Sequence, residues 1–528
     1  MSSKHSSFAH FYHEKTKYSP EGLSKQSHQL DWDNQPVPFK DYPKLKTLDL
    51  SSYVPLGTNP FSDLEIKKTS DWDEKDKALA ELSRLLYFAN GVTAIVPYPP
   101  NPLLMRAAPS AGALYPNELY LISKDSSNHV PAGLYNFQVK THSLVQITEG
   151  EKSWKDLQKA CFDHPTLEKS SICLILSGVF YRSAWRYFDR AYRRILLDGG
   201  HILGNISLIS YVYGKKAFML GGFNDKLLND LLQFDEDEHA LVVIPLVPLD
   251  DANTISLLDH PLALPSPVQA KTPQIPEGKL IDALHEFSNI DAKPDESTLS
   301  IISATLKDYL NQAQDTRFDC FLQGKTLDSE IINWDKCSLM KAIMQRRSTR
   351  KYDPDMPLRV SDLAQILQFA YNPSDYINSI FDLNPSYLVS EHIKSYLLVN
   401  NIEGLEPGCY LYLPEQKLLK QIRFKELRQE AYKLCLRQEL GRDAAALLFH
   451  VANLDKTTKI YGERSYRYLH SDAGSIGQRV NLAATKLGLG ASGIGGFFDD
   501  MTNEALGISM EDIVLYVTTI GVPDEGID

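Results

Sequence analysis

Basic residues are in deficit: 55 lysines and arginines stand against 67 aspartates and glutamates, for a formal net charge of −12. A surface of that sign argues against broad binding to nucleic acid or to an anionic membrane, both of which need a basic face. Any phosphate must then be met by a local cationic cluster. Cysteine is sparse too. Cys161, Cys173, Cys320, Cys337, Cys409 and Cys435 form no close pair and no ligand spacing with histidine, so they read as reduced core thiols with no metal site. No uninterrupted apolar run looks long enough to span a bilayer, and the opening Met1-Ser2-Ser3-Lys4-His5 lacks the apolar core of a signal peptide. A soluble, cytoplasmic protein with no membrane partner is the expectation. Apolar side chains, 43% of the 528 residues, suffice to give each of roughly two to four domains a core.

What is present is one pattern written twice. Pro109-Ser110 and Tyr120 return as Pro385-Ser386 and Tyr396, each leading into an apolar run, Leu121-Ile122 and Leu397-Leu398. Arg190, Tyr192, Arg193, Asp198 and Gly200 return at one constant offset as Arg464, Tyr466, Arg467, Asp472 and Gly474. Gly214 and Gly221-Gly222-Phe223 keep that offset in Gly488 and Gly495-Gly496-Phe497. A register held this far means two homologous domains, since the units of a solenoid are far shorter. The chain reads as a homodimer fused into one polypeptide, an intramolecular pseudo-dimer that needs no second copy.

Residues 1–75 are polar and broken by Pro36, Pro38, Pro43 and Pro55, which suits an arm of ordered loop and short helices lying on the first domain. The first repeat spans 76–250, a Pro-rich linker with bridging helices spans 251–335, and the second repeat spans 336–528. Leu79, Leu82, Leu85, Leu86 and Ala89 fall on one helix face with Gly91 at the C-cap position, and Leu363, Ile366, Leu367 and Ala370 mark the equivalent helix. Strand-like runs follow at 119–123, 172–177 and 240–245, with partners at 395–399, 445–451 and 513–520, so each repeat is α+β. In the linker, Pro261, Pro265, Pro267, Pro273 and Pro276 exclude regular structure. Two amphipathic helices at 278–289 and 297–313 either bridge the domains or open the second one.

Three segments carry residues suited to chemistry. Gln345-Arg346-Arg347-Ser348-Thr349-Arg350-Lys351 sets three guanidinium groups and two hydroxyls just after a short helix, and arginine forks match phosphate oxygens; a basic surface run has the same composition. Gly488-Leu489-Gly490-Ala491-Ser492-Gly493-Ile494-Gly495-Gly496-Phe497 lets a planar ligand lie against main-chain N–H groups, or else merely connects a helix to a strand. Its spacing fails the dinucleotide fingerprint, and no P-loop lysine follows. Arg106-Ala107-Ala108-Pro109-Ser110-Ala111-Gly112-Ala113-Leu114-Tyr115-Pro116-Asn117-Glu118 again combines small residues with a hydroxyl, although Pro-Ser and Tyr-Pro also start turns. Asp198 and Asp472 suit helix N-caps, and His201 suits a helix terminus better than a metal.

Together these segments resemble the nitroreductase-like FMN flavoprotein superfamily, and within it the SagB-type dehydrogenase branch, which includes azoline oxidases of peptide-modifying pathways. Pro-Ser-Ala-Gly-Ala-Leu-Tyr-Pro is the most specific part, and Tyr12-His13-Glu14-Lys15-Thr16-Lys17 is similar to the opening of long members. The resemblance implies two fused nitroreductase-like domains, each an antiparallel or mixed central sheet flanked by helices. It also implies Arg346, Arg347, Ser348 and Arg350 on an FMN phosphate, Gly493, Ile494, Gly495 and Gly496 at the isoalloxazine, and Arg106, Pro109, Ser110, Ala111 and Gly112 reaching in from the first repeat. The copies have decayed in complementary places. Tyr387 and Leu388 replace Ala111-Gly112, and Phe218-Met219-Leu220 replaces Ser492-Gly493-Ile494. The first repeat also lacks an Arg-Arg-Ser run, so one FMN per chain is expected, at the interface.

Azoline-oxidising members resemble one another in a Lys-Tyr pair, and here that place reads Arg186-Tyr187 in one repeat and Ile460-Tyr461 in the other. Arginine is a poor base. Tyr187 is the candidate proton carrier, with Arg186 orienting an anionic substrate or lowering the phenol's pKa, unless both only pack a helix face. The expected activity is hydride transfer between flavin N5 and a small organic substrate, with NAD(P)H a candidate electron donor. The alternatives are azoline oxidation on a modified peptide and a flavin- or peptide-binding scaffold without turnover. The acidic end Asp524-Glu525-Gly526-Ile527-Asp528 leaves the arginine run alone to balance a phosphate.

Overall fold

The computed structural model describes residues 6–25, 30–54, 72–99, 102–269, 273–276, 278–300, 304, 324–327, 329–376 and 385–524. Most of the expected 297–313 helix lies outside them. Each repeat is a seven-stranded sheet whose neighbouring strands all run antiparallel. The first sheet runs Thr47–Asp49, Ser143–Glu149, Gly133–Gln138, Asn117–Ser123, Ile172–Val179, Glu238–Pro248, Lys215–Ala217. The second runs Gly324–Thr326, Leu418–Arg423, Gly408–Leu413, Ile393–Val399, Ala446–Asn453, Asp512–Gly521, Gly490–Ile494, in the same connectivity. Both contain strands absent from the sequence reading. The arm supplies the edge strand Thr47–Asp49, and the hairpins Gly133–Glu149 and Gly408–Arg423 carry polar residues that blur the apolar alternation.

Helices form where the pattern places them. Glu74–Asn90 is N-capped by Asp73, buries Leu79, Leu82, Leu85, Leu86 and Ala89, and stops at Gly91, whose N–H donates to Tyr87 O at 2.7 Å. A Cβ at Gly91 would stand 2.6 Å from that carbonyl, so the stop needs glycine. Val360–Tyr371 buries Leu363, Ile366, Leu367 and Ala370 in the same way.

The repeats join along their long central helices, Ala191–Val212 and Ser465–Lys486, which cross where Gly200 meets Gly474. A Cβ on Gly200 would lie 2.8 Å from Gly474 Cα, and one on Gly474 would lie 2.3 Å from Leu197 O. The repeated arginines then grip the opposite repeat. Arg190 and Arg193 hold Asp499 at 2.7 and 2.8 Å, and Arg464 and Arg467 hold Asp225 at 2.6 and 2.9 Å. Burial alone would raise the Asp499 carboxyl, but the two guanidinium groups outweigh it and hold the pKa below the usual value.

A helix caps each of these corners. Arg193 donates to His13 O and Thr16 Oγ1 next to the helix Phe8–Lys15, and Arg467 donates to His285 O and Ser288 Oγ next to Leu280–Phe287. The rings match as well, with His13 Nδ1 3.2 Å from the Tyr466 hydroxyl and His285 Nδ1 2.9 Å from that of Tyr192. His13-Glu14-x-Thr16 and His285-Glu286-x-Ser288 are therefore one duplicated element. The linker helix is the second repeat's counterpart of the arm helix.

The helical run Phe180–Val212 is long and apolar enough, by length and composition, to cross a membrane, with mean hydropathy 1.3 over its best window. That window is 89% buried inside the protein, as befits the core of a pseudo-dimer.

Candidate active site at the seam between the repeats

A cavity of about 470 Å³ opens at this seam, lined from both repeats. Pro109, Ser110, Ala111 and Gly112 form one wall, Arg346, Ser348 and Arg350 another, and Ser492, Gly493 and Gly495 the base, with Arg186 near the mouth. The floor comes from Arg194, Leu197, Asp198 and His201 of the first long helix, and Tyr516 closes it.

Asp198 sets the Pro-Ser turn. Far from capping a helix, it lies within Ala191–Val212 and accepts the Ser110 hydroxyl at 2.6 Å and the Ala111 N–H at 3.1 Å. Asp472 does the same in the second repeat, accepting from the amides of Leu388 and Val389. Burial pushes the Asp198 carboxyl up to about 7 and that of Asp472 to about 8. Gly112 adopts φ +65, and a Cβ there would sit 2.8 Å from the Tyr187 hydroxyl. The phenol of Tyr187 thus lies just behind the wall. Its pKa is raised because burial outweighs the guanidinium groups of Arg194 and Arg186, each of which lowers it as expected of Arg186. Tyr461 is buried in the core against His392 and Tyr468.

Arg346 bridges the repeats. Its Nε donates to Ala107 O at 3.0 Å and Nη2 to Arg106 O at 3.2 Å, while Nη1 is buried without a protein partner. Burial pushes this guanidinium down to about 10, the signature of a cation that lacks an anion. Arg350 is exposed at the rim. Arg347 stands elsewhere: it donates to Thr93 O and Oγ1 and to the carbonyls of Met344 and Arg346, and it does not line the cavity. The Arg106 guanidinium is likewise diverted, lying over the rings of Tyr115 and Phe39 with Pro38 O as acceptor, so only its carbonyl takes part.

The glycine-rich segment is more than a connection between helix and strand: Gly490–Ile494 is itself an edge strand. Pleating explains which of its residues serve the cavity: Gly493 faces it, while Ile494 turns into the opposite core. A Cβ on Gly493 would fall 1.6 Å from the Tyr516 hydroxyl, so only glycine fits. Gly496 lies beside Leu436 and Arg194, behind the lining.

Four residues went unrecognised as site residues in the sequence: His201, Gln478, Tyr516 and Arg194. Gln478 Nε2 donates to Asn205 Oδ1 at 2.8 Å, which leaves Oε1 to accept His201 Nδ1–H at 2.9 Å. His201 Nε2 therefore accepts the Tyr516 hydroxyl at 3.0 Å. Burial pushes His201 down to about 3, so the ring is neutral and the phenol's lone pairs are left for the cavity. His201 lies in mid-helix, not at a helix end. The signal that finds these residues is disagreement between the copies, since Ser475, Gly204, Val242 and Tyr468 hold the equivalent positions.

On the other side of the seam the equivalent space is filled. Tyr468 and Leu388 stand 2.5 and 2.8 Å from where a Gly221 Cβ would be, and the linker lies across the loop, Leu262 O accepting the amides of Gly221 and Gly222 at 2.9 and 3.0 Å. The Tyr468 hydroxyl donates to Leu264 O at 2.8 Å.

A solved structure from Anabaena variabilis, described as a nitroreductase, is 42% identical, covers 98% of this chain and 100% of its own, and superposes with a TM-score of 0.88. A Methanocaldococcus jannaschii protein named as a nitroreductase is 32% identical over 192 residues, 36% of this chain and 96% of its own length. The trifolitoxin-processing protein of Rhizobium leguminosarum is 31% identical over 196 residues, 35% of this chain. That match spans 52% of the processing protein, about half its length. The nitroreductase family model matches twice, over residues 73–246 and 343–522, so the chain belongs to the nitroreductase family.

Proposed function

We propose that the chain is an FMN-dependent oxidoreductase with one composite flavin site, passing hydride between flavin N5 and a small organic substrate. The observation that carries this is the unpartnered buried Nη1 of Arg346, beside Ser348 and Arg350, in a cavity whose opposite wall is pared to glycine. A cavity of about 470 Å³ is of a size that suits a cofactor. When bound, FMN would supply the hydride chemistry. Arg346, Ser348 and Arg350 would hold its phosphate, Gly493 and Gly495 would admit its ring, and Pro109, Ser110, Ala111 and Gly112 would cover it. Tyr516, locked by neutral His201, would offer a fixed acceptor, and Tyr187 would carry a proton at the wall. NAD(P)H is the candidate donor if the reaction is a reduction.

A second reading, azoline oxidation on a modified peptide, is favoured by the likeness to the trifolitoxin-processing protein and opposed by arginine at 186 where a lysine would be needed. Spectroscopy of the purified protein tests the proposal. A flavin spectrum bleached anaerobically by NAD(P)H supports the reductase. A flavin spectrum inert to NAD(P)H but bleached by an azoline peptide supports the oxidase. A colourless protein that binds peptide contradicts both.

A further inference from the structure

We infer that the cavity holds a second anion subsite, formed by Arg194 with Arg186, which takes a carboxylate on an otherwise flat, apolar substrate. It rests on the flavin reading only in assigning the other two arginines to the cofactor. Arg194 is 6% exposed, its Nη1 has no partner, and no ion pair engages it among the described residues. Its neighbours Arg190 and Arg193 spend their charge on Asp499, whereas Arg194 lies 3.9 Å over the Tyr187 ring, on the cavity floor. A guanidinium stacked on a phenol keeps its N–H edge free, and that edge matches a carboxylate with two parallel hydrogen bonds.

The duplicate shows that the fold does not need this arginine. The equivalent residue is Tyr468, which packs against Gly221 and bonds the linker where the space is filled. Arginine stands only where the cavity is open. Charge points the same way. Among the described residues four arginines line the cavity, and the single carboxylate there, Asp198, accepts the Ser110 hydroxyl and the Ala111 N–H, with burial favouring its neutral form. A flavin phosphate of about −1.5 to −2 offsets two of the four. Those beside Ser348 are Arg346 and Arg350, so Arg186 and Arg194 remain for the substrate. Trp32, Tyr98, Leu103 and Met105 around the mouth supply an apolar bed for its body.

The test is calorimetric titration of the purified protein with benzoate and with benzamide, its neutral counterpart, alongside flavin quantification. Benzoate should bind about tenfold or more tightly than benzamide. Arg194→Gln should abolish that preference with flavin per chain and melting temperature unchanged, and Arg194→Lys should keep part of it. Equal binding of the two probes to the wild type, an undiminished preference in Arg194→Gln, or loss of flavin in that variant would overturn the inference. Should Arg194→Gln fail to fold, Arg186→Gln, at an exposed residue, must still weaken benzoate severalfold, and no weakening would overturn it. A protein without flavin that still prefers benzoate through Arg194 would sink the cofactor reading and leave the subsite standing.

Discussion

A guanidinium offers five N–H donors in a rigid fork, and Arg346 divides its own between tasks. Two nitrogens hold the carbonyls of Arg106 and Ala107, and so the Pro109 turn; the third is buried without a protein partner. Removing Arg346 would confound structure with binding, so exposed Arg350 is the cleaner probe. Arg350→Ala should weaken FMN binding about tenfold to a hundredfold, read by quenching of flavin fluorescence, with an unaltered melting temperature. Asp198 makes a prediction in pH. Burial raises its carboxyl from an ordinary 3.8 to about 7, so the folded state favours the neutral form. That contribution is complete below about pH 4 and is lost as pH rises through 7. Asp198→Asn cannot ionise, so its stability relative to wild type, from denaturant titrations, should improve between pH 4 and pH 8. A constant gap across that range would refute the assignment. Ser348, Gly493 and Gly112 were legible in the sequence because size and hydroxyl chemistry show in a residue's identity. The diversion of Arg347 to Thr93 and of Arg106 to aromatic faces was not, since a basic run does not reveal which of its members spend their donors on the backbone.

At the scale of elements, the repeated residues mark the joint between copies more than the chemistry. Gly200 and Gly474 let two helices touch, and each Arg pair crosses to the other repeat's aspartate beneath a His-Glu-x-Ser/Thr helix. Asp499→Ala leaves Arg190 and Arg193 buried without a counter-charge and should cost about 3–5 kcal/mol, measured by chemical denaturation. Asp225→Ala should cost a similar amount, because its corner is the same structure again. A cost below about 1 kcal/mol at either, as for a surface pair, would contradict this account. Helices with a full apolar stripe, such as Glu74–Asn90, could be placed from sequence. The hairpins could not, because their polar residues blur the alternation, nor could the edge strand Gly490–Ile494, whose glycines have little strand propensity of their own and which is set by its pairing with Val517–Gly521.

For the whole molecule, duplication followed by divergence yields one open pocket and one filled one. The fold was legible because a constant register shows two like domains whatever their local structure. The occupant of the filled side was not, because the segment across Gly221-Gly222 is the linker itself, read from its prolines only as irregular. The central claim is therefore stoichiometric, and quantifying flavin released per chain tests it most directly. We predict one FMN per polypeptide in the wild type and none in Gly112→Leu, where a side chain in the first repeat meets the Tyr187 hydroxyl. Two FMN per chain, or full occupancy in Gly112→Leu, would contradict a single site shared between the repeats.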